Sequence, residues 1–273
     1  MTRLSVWVRA VLLVGGGGGI AAPIVIAQLQ PTGILLEDLT WVEARDRLLR
    51  DTIVVIPLGA QSKEHGPHLR LSTDWLTAEY YKRRVLERAD VVVAPTVNYS
   101  FYPAFVDYPG STSLSHETAR DLIVQICRTL AAAGPRRFYI LNTGVSTMAP
   151  LAAAQALLAA DGIVLRSTDI LKAGASAVDA VSEQPEGTHA DEIETSMMLY
   201  IAPASVDMSR ATKDFPVGTG PLTPFKGRAG RYSPSGIYGD ATLATRAKGE
   251  KVVEATLADI LLEIESLRRI PVP

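Results

Sequence analysis

Ile53, Val54, Val55, Ile56 and Leu58 form an apolar run with no polar alternation, and Gly59 ends it. A strand of this kind is covered on both faces, the condition of a parallel sheet held between helices. Residues 90–97 (DVVVAPTV), 136–142 (RRFYILN) and 162–166 (GIVLR) repeat the pattern. Helical signals separate them. Thr40 to Glu43 has the Ser/Thr-x-x-Glu form of a capping box ahead of a first helix. Trp75, Leu76, Ala78, Tyr81, Val85 and Leu86 then recur at helical spacing, with Lys82, Arg83, Arg84 and Arg88 as a solvated basic face. Ser115 caps a helix that Gly134 ends, and residues 149–160 are an alanine-rich helix. Val252, Val253, Leu257, Ile260, Leu261 and Ile264 form the apolar face of a last helix. Strands alternating with helices predict an α/β fold, a mainly parallel central sheet flanked by helices. At 273 residues and 47% hydrophobic content the chain can bury one large core, so residues 35–270 are expected to be a single domain.

Residues 1–27 stand apart from that domain. Arg3 and Arg9 precede an apolar segment, residues 11–27, which ends in Val25-Ile26-Ala27 before Gln28. This is the pattern of an export signal peptide cleaved after Ala27. An uncleaved N-terminal membrane anchor is the alternative, although the segment is short for a span of ~20 residues. The mature chain is therefore expected to be periplasmic or secreted, with no stable membrane span after cleavage. Cys127 is the only cysteine, so export brings no intrachain disulfide. Lys+Arg 27 against Asp+Glu 29 leave a formal charge of -2 with no basic block, and nucleic acid is not an expected partner. Residues 209–235, rich in Gly, Pro, Lys and Arg, predict an irregular excursion over the site or a homo-oligomer contact.

Just beyond Gly59 the chain carries Glu64, His65, His68 and Asp74 within eleven positions, including half of its four histidines. Open α/β sheets gather ligands beyond the carboxyl ends of their strands. Imidazole with carboxylate is the donor mixture of zinc, manganese and iron sites. A lone His or Asp in a loop is usually a cap or a surface group. Several together, beside a Gly66-Pro67 pair that limits the entropy lost in closing a site, predict a divalent metal centre. Zinc or manganese is the expected ion, with iron as the alternative.

In full the segment reads PLGAQSKEHGPHLRLSTD. It resembles the signature of the creatininase (creatinine amidohydrolase) family, close to Pro-x-Gly-Ser-x-Glu-Gln-His-Gly-Pro-His-Leu-Pro-x-x-Thr-Asp. The resemblance carries metal-ligand roles to His65 and Asp74. The family's Glu stands two residues before the His, where this chain has Lys63 and one extra residue after Gly59. A small bulge would bring the adjacent Glu64 into the ligand role; the alternative is a lysine at the entrance that weakens metal binding by like-charge repulsion. Residues 188–200, THADEIETSMMLY, resemble the family's His-Ala-Gly-Glu-x-Glu-Thr-Ser segment. That likeness implies proton transfer by His189 and metal ligation by Glu194, while Asp191 and Glu192 either join the site or only cap and charge a helix start.

The loop at residues 98–115 ends in a PGSTSL that is similar to the family's Phe-Pro-Gly-Thr-x-Ser-Leu. Its Tyr99, Phe101, Tyr102, Phe105 and Tyr108 either line a substrate pocket or pack the loop onto the sheet. Where the family has Asn-Gly-His-Gly-Gly-Asn, with the His a metal ligand, residues 142–147 read NTGVST and Gly144 stands in place of the imidazole. This implies that one site of a two-metal pair is weakened or lost. Together with the Gly-Ile-Tyr-Gly-Asp segment at residues 236–240, the resemblance runs from about residue 36 to residue 264. It implies metal-dependent hydrolysis of a C–N bond in a small amide or cyclic amide. In that scheme a metal held by Glu64, His65, Asp74 and Glu194 activates a water, and His189 passes a proton to the leaving nitrogen. The alternative is a catalytically lapsed protein that binds a small ligand in the same pocket. In both cases the expected partner is a small molecule.

Overall fold

The computed structural model describes residues 32–272, and the export signal expected at residues 1–27 lies outside them. Five strands make one sheet: β1 (Ile34–Leu35), β2 (Ile53–Leu58), β3 (Val92–Val93), β4 (Arg137–Asn142) and β5 (Val164–Ser167). Their order is β1-β3-β2-β4-β5, and every neighbouring pair is parallel. Seven α-helices accompany them among the described residues: α1 (Trp41–Arg47), α2 (Thr73–Arg88), α3 (His116–Ala131), α4 (Met148–Ala160), α5 (Ala175–Val181), α6 (Glu192–Ile201) and α7 (Arg246–Arg268). The expected α/β fold is therefore the observed one.

Side-chain alternation on the two central strands sorts the core into two layers. Val54, Ile56 and Leu58 of β2 join Phe138 and Ile140 of β4 against α3 and α4, where Ile123, Val124, Cys127, Leu151 and Leu158 meet them. Ile53 and Val55 join Tyr139 and Leu141 on the opposite face, against Tyr81 and Val85 of α2 and Val253, Leu257 and Ile260 of α7. Both faces are covered, which is why β2 reads as an unbroken apolar run. Burying each such side chain contributes roughly 1.5–3 kcal/mol, so these strands hold the loops at their ends firmly. The helix after β2 lies on one face and the helix after β4 on the other. The chain thus parts at the carboxyl edge between two adjacent strands, the crevice where open α/β sheets place ligands.

Several elements differ from expectation for identifiable reasons. The strand expected at residues 90–97 shrinks to Val92–Val93 plus a single bridge from Val97 to Leu58, because Pro95 has no N–H to offer the ladder. The basic face of α2 is not a solvated one: Lys82 is buried with its ammonium 2.8 Å from Glu37, and Arg84 clamps Glu254 of α7 at 2.7 and 2.8 Å. Only Arg83 and Arg88 of that cluster are exposed. The capping box at Thr40 forms in both directions. The excursion at residues 209–235 forms short pairings: β6 (Lys213–Asp214) with β9 (Gly239–Asp240) just beyond it, and β7 (Leu222–Thr223) with β8 (Arg231–Tyr232) inside it. Leu222 of β7 packs on Tyr102, Phe105 and Tyr108, laying the excursion over the aromatic loop. No helix among the described residues is long and apolar enough to cross a membrane.

Candidate metal centre

Gly59 ends β2 directly beneath the first turn of α2, and a Cβ there would collide with the backbone carbonyl of Asp74. That close approach brings the strand end and the helix start together. The Trp75 amide donates to the Ala60 carbonyl at 3.0 Å, the Lys63 amide donates to the Leu71 carbonyl at 3.1 Å, and Gly66 takes a left-handed φ of 70°. The loop between β2 and α2 therefore folds back on itself and sets Lys63 and His65 against Asp74.

His65 is fully enclosed. Its Nδ1 lies 2.8 Å from the Lys63 carbonyl, and its Nε2 lies 3.0 Å from Asp74 Oδ1 and 3.6 Å from Glu194 Oε1. A neutral imidazole has one N–H, which the carbonyl at Nδ1 claims. The Nε2 lone pair then faces two carboxylate oxygens, and a cation, proton or metal, is needed to hold the three together. The electrostatics agree. Burial and the Lys63 ammonium push the His65 imidazolium toward losing its proton, but Asp74 and Glu194 outweigh them and its pKa lies above the ordinary value. Burial alone would raise the Asp74 carboxyl, yet Lys63 and His65 hold it well below the usual carboxylate range. Glu194 is likewise shifted down, with burial overcome by His65, His189 and Lys63.

Glu194 arrives on the first turn of α6. Asp191 caps that helix, accepting from the amides of Ile193 at 3.0 Å and Glu194 at 2.9 Å, while Gln184 donates to its other oxygen at 2.7 Å. Glu192 turns away from the site, fully buried in an ion pair with Lys248 at 2.6 Å. Asp191 and Glu192 thus build the helix start and are not part of the cluster. Ala190 adopts a left-handed φ of 49°, unusual for a residue with a Cβ, and its amide donates to Glu194 Oε2 at 2.6 Å. His189 precedes it, with Nδ1 3.7 Å from Glu194 Oε2 and Nε2 2.9 Å from Glu64 Oε2. Its ring lies against Phe105, centroids 4.1 Å apart.

Of the residues singled out by sequence, the structure brings His65, Asp74, Glu194 and His189 to one place. Donor atoms of His65, His189 and Glu194 all lie within 4.8 Å of one another. Glu64 does not join them. It sits behind His189, with one oxygen accepting from the Gly66 amide and the other meeting His189 Nε2. His68 also stays apart, bonded through Nε2 to Thr195 at 2.8 Å, with burial pushing its pKa down. Lys63 is the member that sequence reasoning left at the entrance: it is 5% exposed, and its Nζ lies 2.7 Å from Asp74 Oδ2. Burial works against its charge, but Asp74, Glu194 and Glu64 raise its pKa above the ordinary value. At Gly144 the turn after β4 is closed by Asn142 Nδ2 donating to the Gly144 carbonyl at 2.8 Å and Thr147 Oγ1 donating to Asn142 Oδ1 at 2.5 Å.

The donor set suits one divalent ion. Four-coordinate zinc, with bonds of about 2.0–2.2 Å, places its donor atoms roughly 3.3 Å apart. The separations of His65 Nε2 from Asp74 and Glu194, 3.0 and 3.6 Å, bracket that value, while the three residues whose donor atoms all lie within 4.8 Å of one another are His65, His189 and Glu194. Counting Glu64 behind His189, the carboxylates of Asp74, Glu194 and Glu64 against the Lys63 ammonium leave two negative charges, the charge that one such ion neutralises. Above the cluster opens a cavity of about 630 Å³, lined by Tyr102, Phe105, Val145, Ile170, Met197 and Leu222 among others. The aromatic loop thus does both things expected of it: Tyr102 and Phe105 are buried, and both also line the pocket.

Known proteins resemble this chain over most of its length. The family model for creatininase, described as creatinine amidohydrolase, matches residues 37–264. The chain is 27% identical to the creatinine amidohydrolase of Pseudomonas putida over 254 residues, covering 83% of this chain and 94% of that one. It is 32% identical to the mycofactocin precursor peptide peptidase of Mycolicibacterium smegmatis over 212 residues, covering 73% and 79%. Among solved structures, a creatininase variant described as Zn-Zn type superposes with a TM-score of 0.70 at 26% identity, covering 87% of this chain and 99% of that one. A manganese creatininase gives 0.69 at 26% identity, covering 87% and 100%.

Proposed function

Because this chain belongs to the creatininase family of hydrolases, we propose that it cleaves a C–N bond in a small amide or cyclic amide with the help of a divalent metal. The observation that carries this reading is the convergence of Asp74, Glu194 and His189, which line one cavity, on the enclosed His65. The relatives include a creatinine amidohydrolase and a peptide peptidase, so amide chemistry spans that part of the family. Zinc and manganese are named for two of the solved neighbours and are proposed for this site as well.

His65, Asp74 and Glu194 would hold the ion. When bound, it supplies Lewis acidity, which polarises a carbonyl and eases deprotonation of water. Glu64 accepts the Nε2 proton of His189, which fixes the tautomer and leaves the Nδ1 lone pair on the Glu194 side. His189 can then take a proton from the attacking water at Nδ1 and return it to the leaving nitrogen. The water oxygen ends on the carbonyl carbon, the C–N bond breaks, and the amine departs with the proton. Glu64 stabilises the imidazolium formed between those two transfers, as the carboxylate of a catalytic triad does. Phe105 backs the ring and keeps water from that side.

A second reading is supported by the Lys63 contact with Asp74, which neutralises one of the proposed ligands: a lapsed enzyme that only binds its ligand. The two are separated by loading chelator-stripped protein with zinc or manganese and following amine release from creatinine, other cyclic amides and short peptides. Turnover that disappears on chelation and in His189→Ala is expected. No turnover on any of them, with ligand-induced thermal stabilisation retained, would establish the binding protein instead. Export of the chain is part of the same proposal and rests on the Arg3, Arg9 and apolar pattern of residues 1–27.

A further inference from the structure

Lys63 is chemically out of place in a metal centre, and its surroundings are built to keep it there. Its side chain is 7% exposed, and its ammonium lies 2.7 Å from Asp74 Oδ2, with the rings of Phe105 and Tyr102 centred 5.1 and 5.6 Å away. Burying an ammonium costs several kcal/mol unless a carboxylate and polarisable partners receive it. Here Asp74 turns one oxygen to His65 and the other to Lys63. A carboxylate that serves a different cation with each oxygen is the bridging element of two-metal sites, where the ions sit about 3.5–4 Å apart. One of the solved neighbours is described as a Zn-Zn type. In this chain the Lys63 ammonium stands at one of the two Asp74 oxygens.

Resting on the metal-centre reading above, we propose that the Lys63 ammonium takes the place of a second metal ion, so that the site accepts one divalent ion and no more. Three features then have one cause. Asp74 keeps its bridging geometry although only one ion is bound. With Glu64 counted, the carboxylates and the ammonium leave two negative charges, which one divalent ion neutralises without a second. Position 144 needs no imidazole, and its turn is closed instead by Asn142 and Thr147, with Tyr102 so near that a Cβ would lie 3.3 Å from the ring. An ammonium also brings three donors, and its contact with Asp74 Oδ2 is a close ion pair without hydrogen-bond alignment. Lys63 lines the cavity, so these donors are available to a substrate oxygen.

The test is metal stoichiometry, read by native mass spectrometry and by elemental analysis of chelator-stripped protein titrated with zinc. The parent should saturate at one ion per chain, Lys63→Glu at two, and Lys63→Arg, which keeps the cation, at one. A parent that takes two ions overturns the proposal and leaves the metal-centre reading standing. A parent that takes none removes that reading and the proposal with it. A folded Lys63→Glu that still takes one shows that the ammonium does not set the limit, and this too overturns the proposal. If Lys63→Glu does not fold, the parent titration decides alone, since saturation at two contradicts a resident cation and saturation at one in both parent and Lys63→Arg agrees with it.

Discussion

At the scale of single residues, His65 is the hub. It faces a carbonyl on one nitrogen and two carboxylates on the other. His65→Ala and Asp74→Ala are each expected to abolish zinc binding while leaving the circular dichroism spectrum of the fold intact, and elemental analysis of the two variants checks this. Unchanged stoichiometry in both would remove the assignment. Glu64 makes the sharper case. Placed behind His189, it should orient and not ligate, so Glu64→Gln is expected to keep the parent's metal content and lower kcat by roughly 10²-fold or more. Loss of metal in that variant would make it a ligand after all. The spacing of His65, Asp74, His189 and Glu194 was legible in sequence because the motif fixes them relative to a strand end and a helix start. The exchange of positions between Lys63 and Glu64 was not. One inserted residue in a loop decides which of two adjacent side chains turns inward, and the hydrogen bonds from the Lys63 amide to the Leu71 carbonyl and from the Glu64 amide to the Ser111 hydroxyl that decide it here have no local signature.

At the scale of elements, α6 and α7 must lie close for Glu194 to be held in place. Gly249 permits it, since a Cβ there would penetrate the Ser196 carbonyl of α6. Gly249→Ala should therefore destabilise the fold by about 3 kcal/mol, the upper end of typical overpacking costs, read as a lower urea midpoint at unchanged m-value. A change within a few tenths of a kcal/mol would show that the two helices are free to separate. The long elements β2, β4, α2, α3 and α7 were readable because each carries its own period or cap. The short ones were hidden: β1 is a two-residue edge strand, α5 has seven residues and no side-chain cap, and β3 is cut by Pro95. Such pieces exist because neighbours pack on them, and propensity over so few residues does not announce them.

At the scale of the whole molecule, the parallel sheet explains where the site lies, and the family explains what chemistry belongs there. If the Lys63 ammonium sets the number of ions as proposed, that number was not legible at this scale, because the lysine's partner, Asp74, lies eleven residues away in sequence. Export is the whole-chain prediction: protein recovered from outside the cytoplasm should begin near Gln28, and mass spectrometry of the mature N-terminus will show it. An intact Met1 on a cytoplasmic product would contradict it. The most direct measurement of the central claim is an anomalous difference map at the zinc edge from crystals grown with excess zinc. One peak per chain is expected, within bonding distance of His65 Nε2 and of carboxylate oxygens of Asp74 and Glu194, with Lys63 still on Asp74 Oδ2. No peak there, or a zinc ion coordinated away from His65, would contradict the metal centre described above.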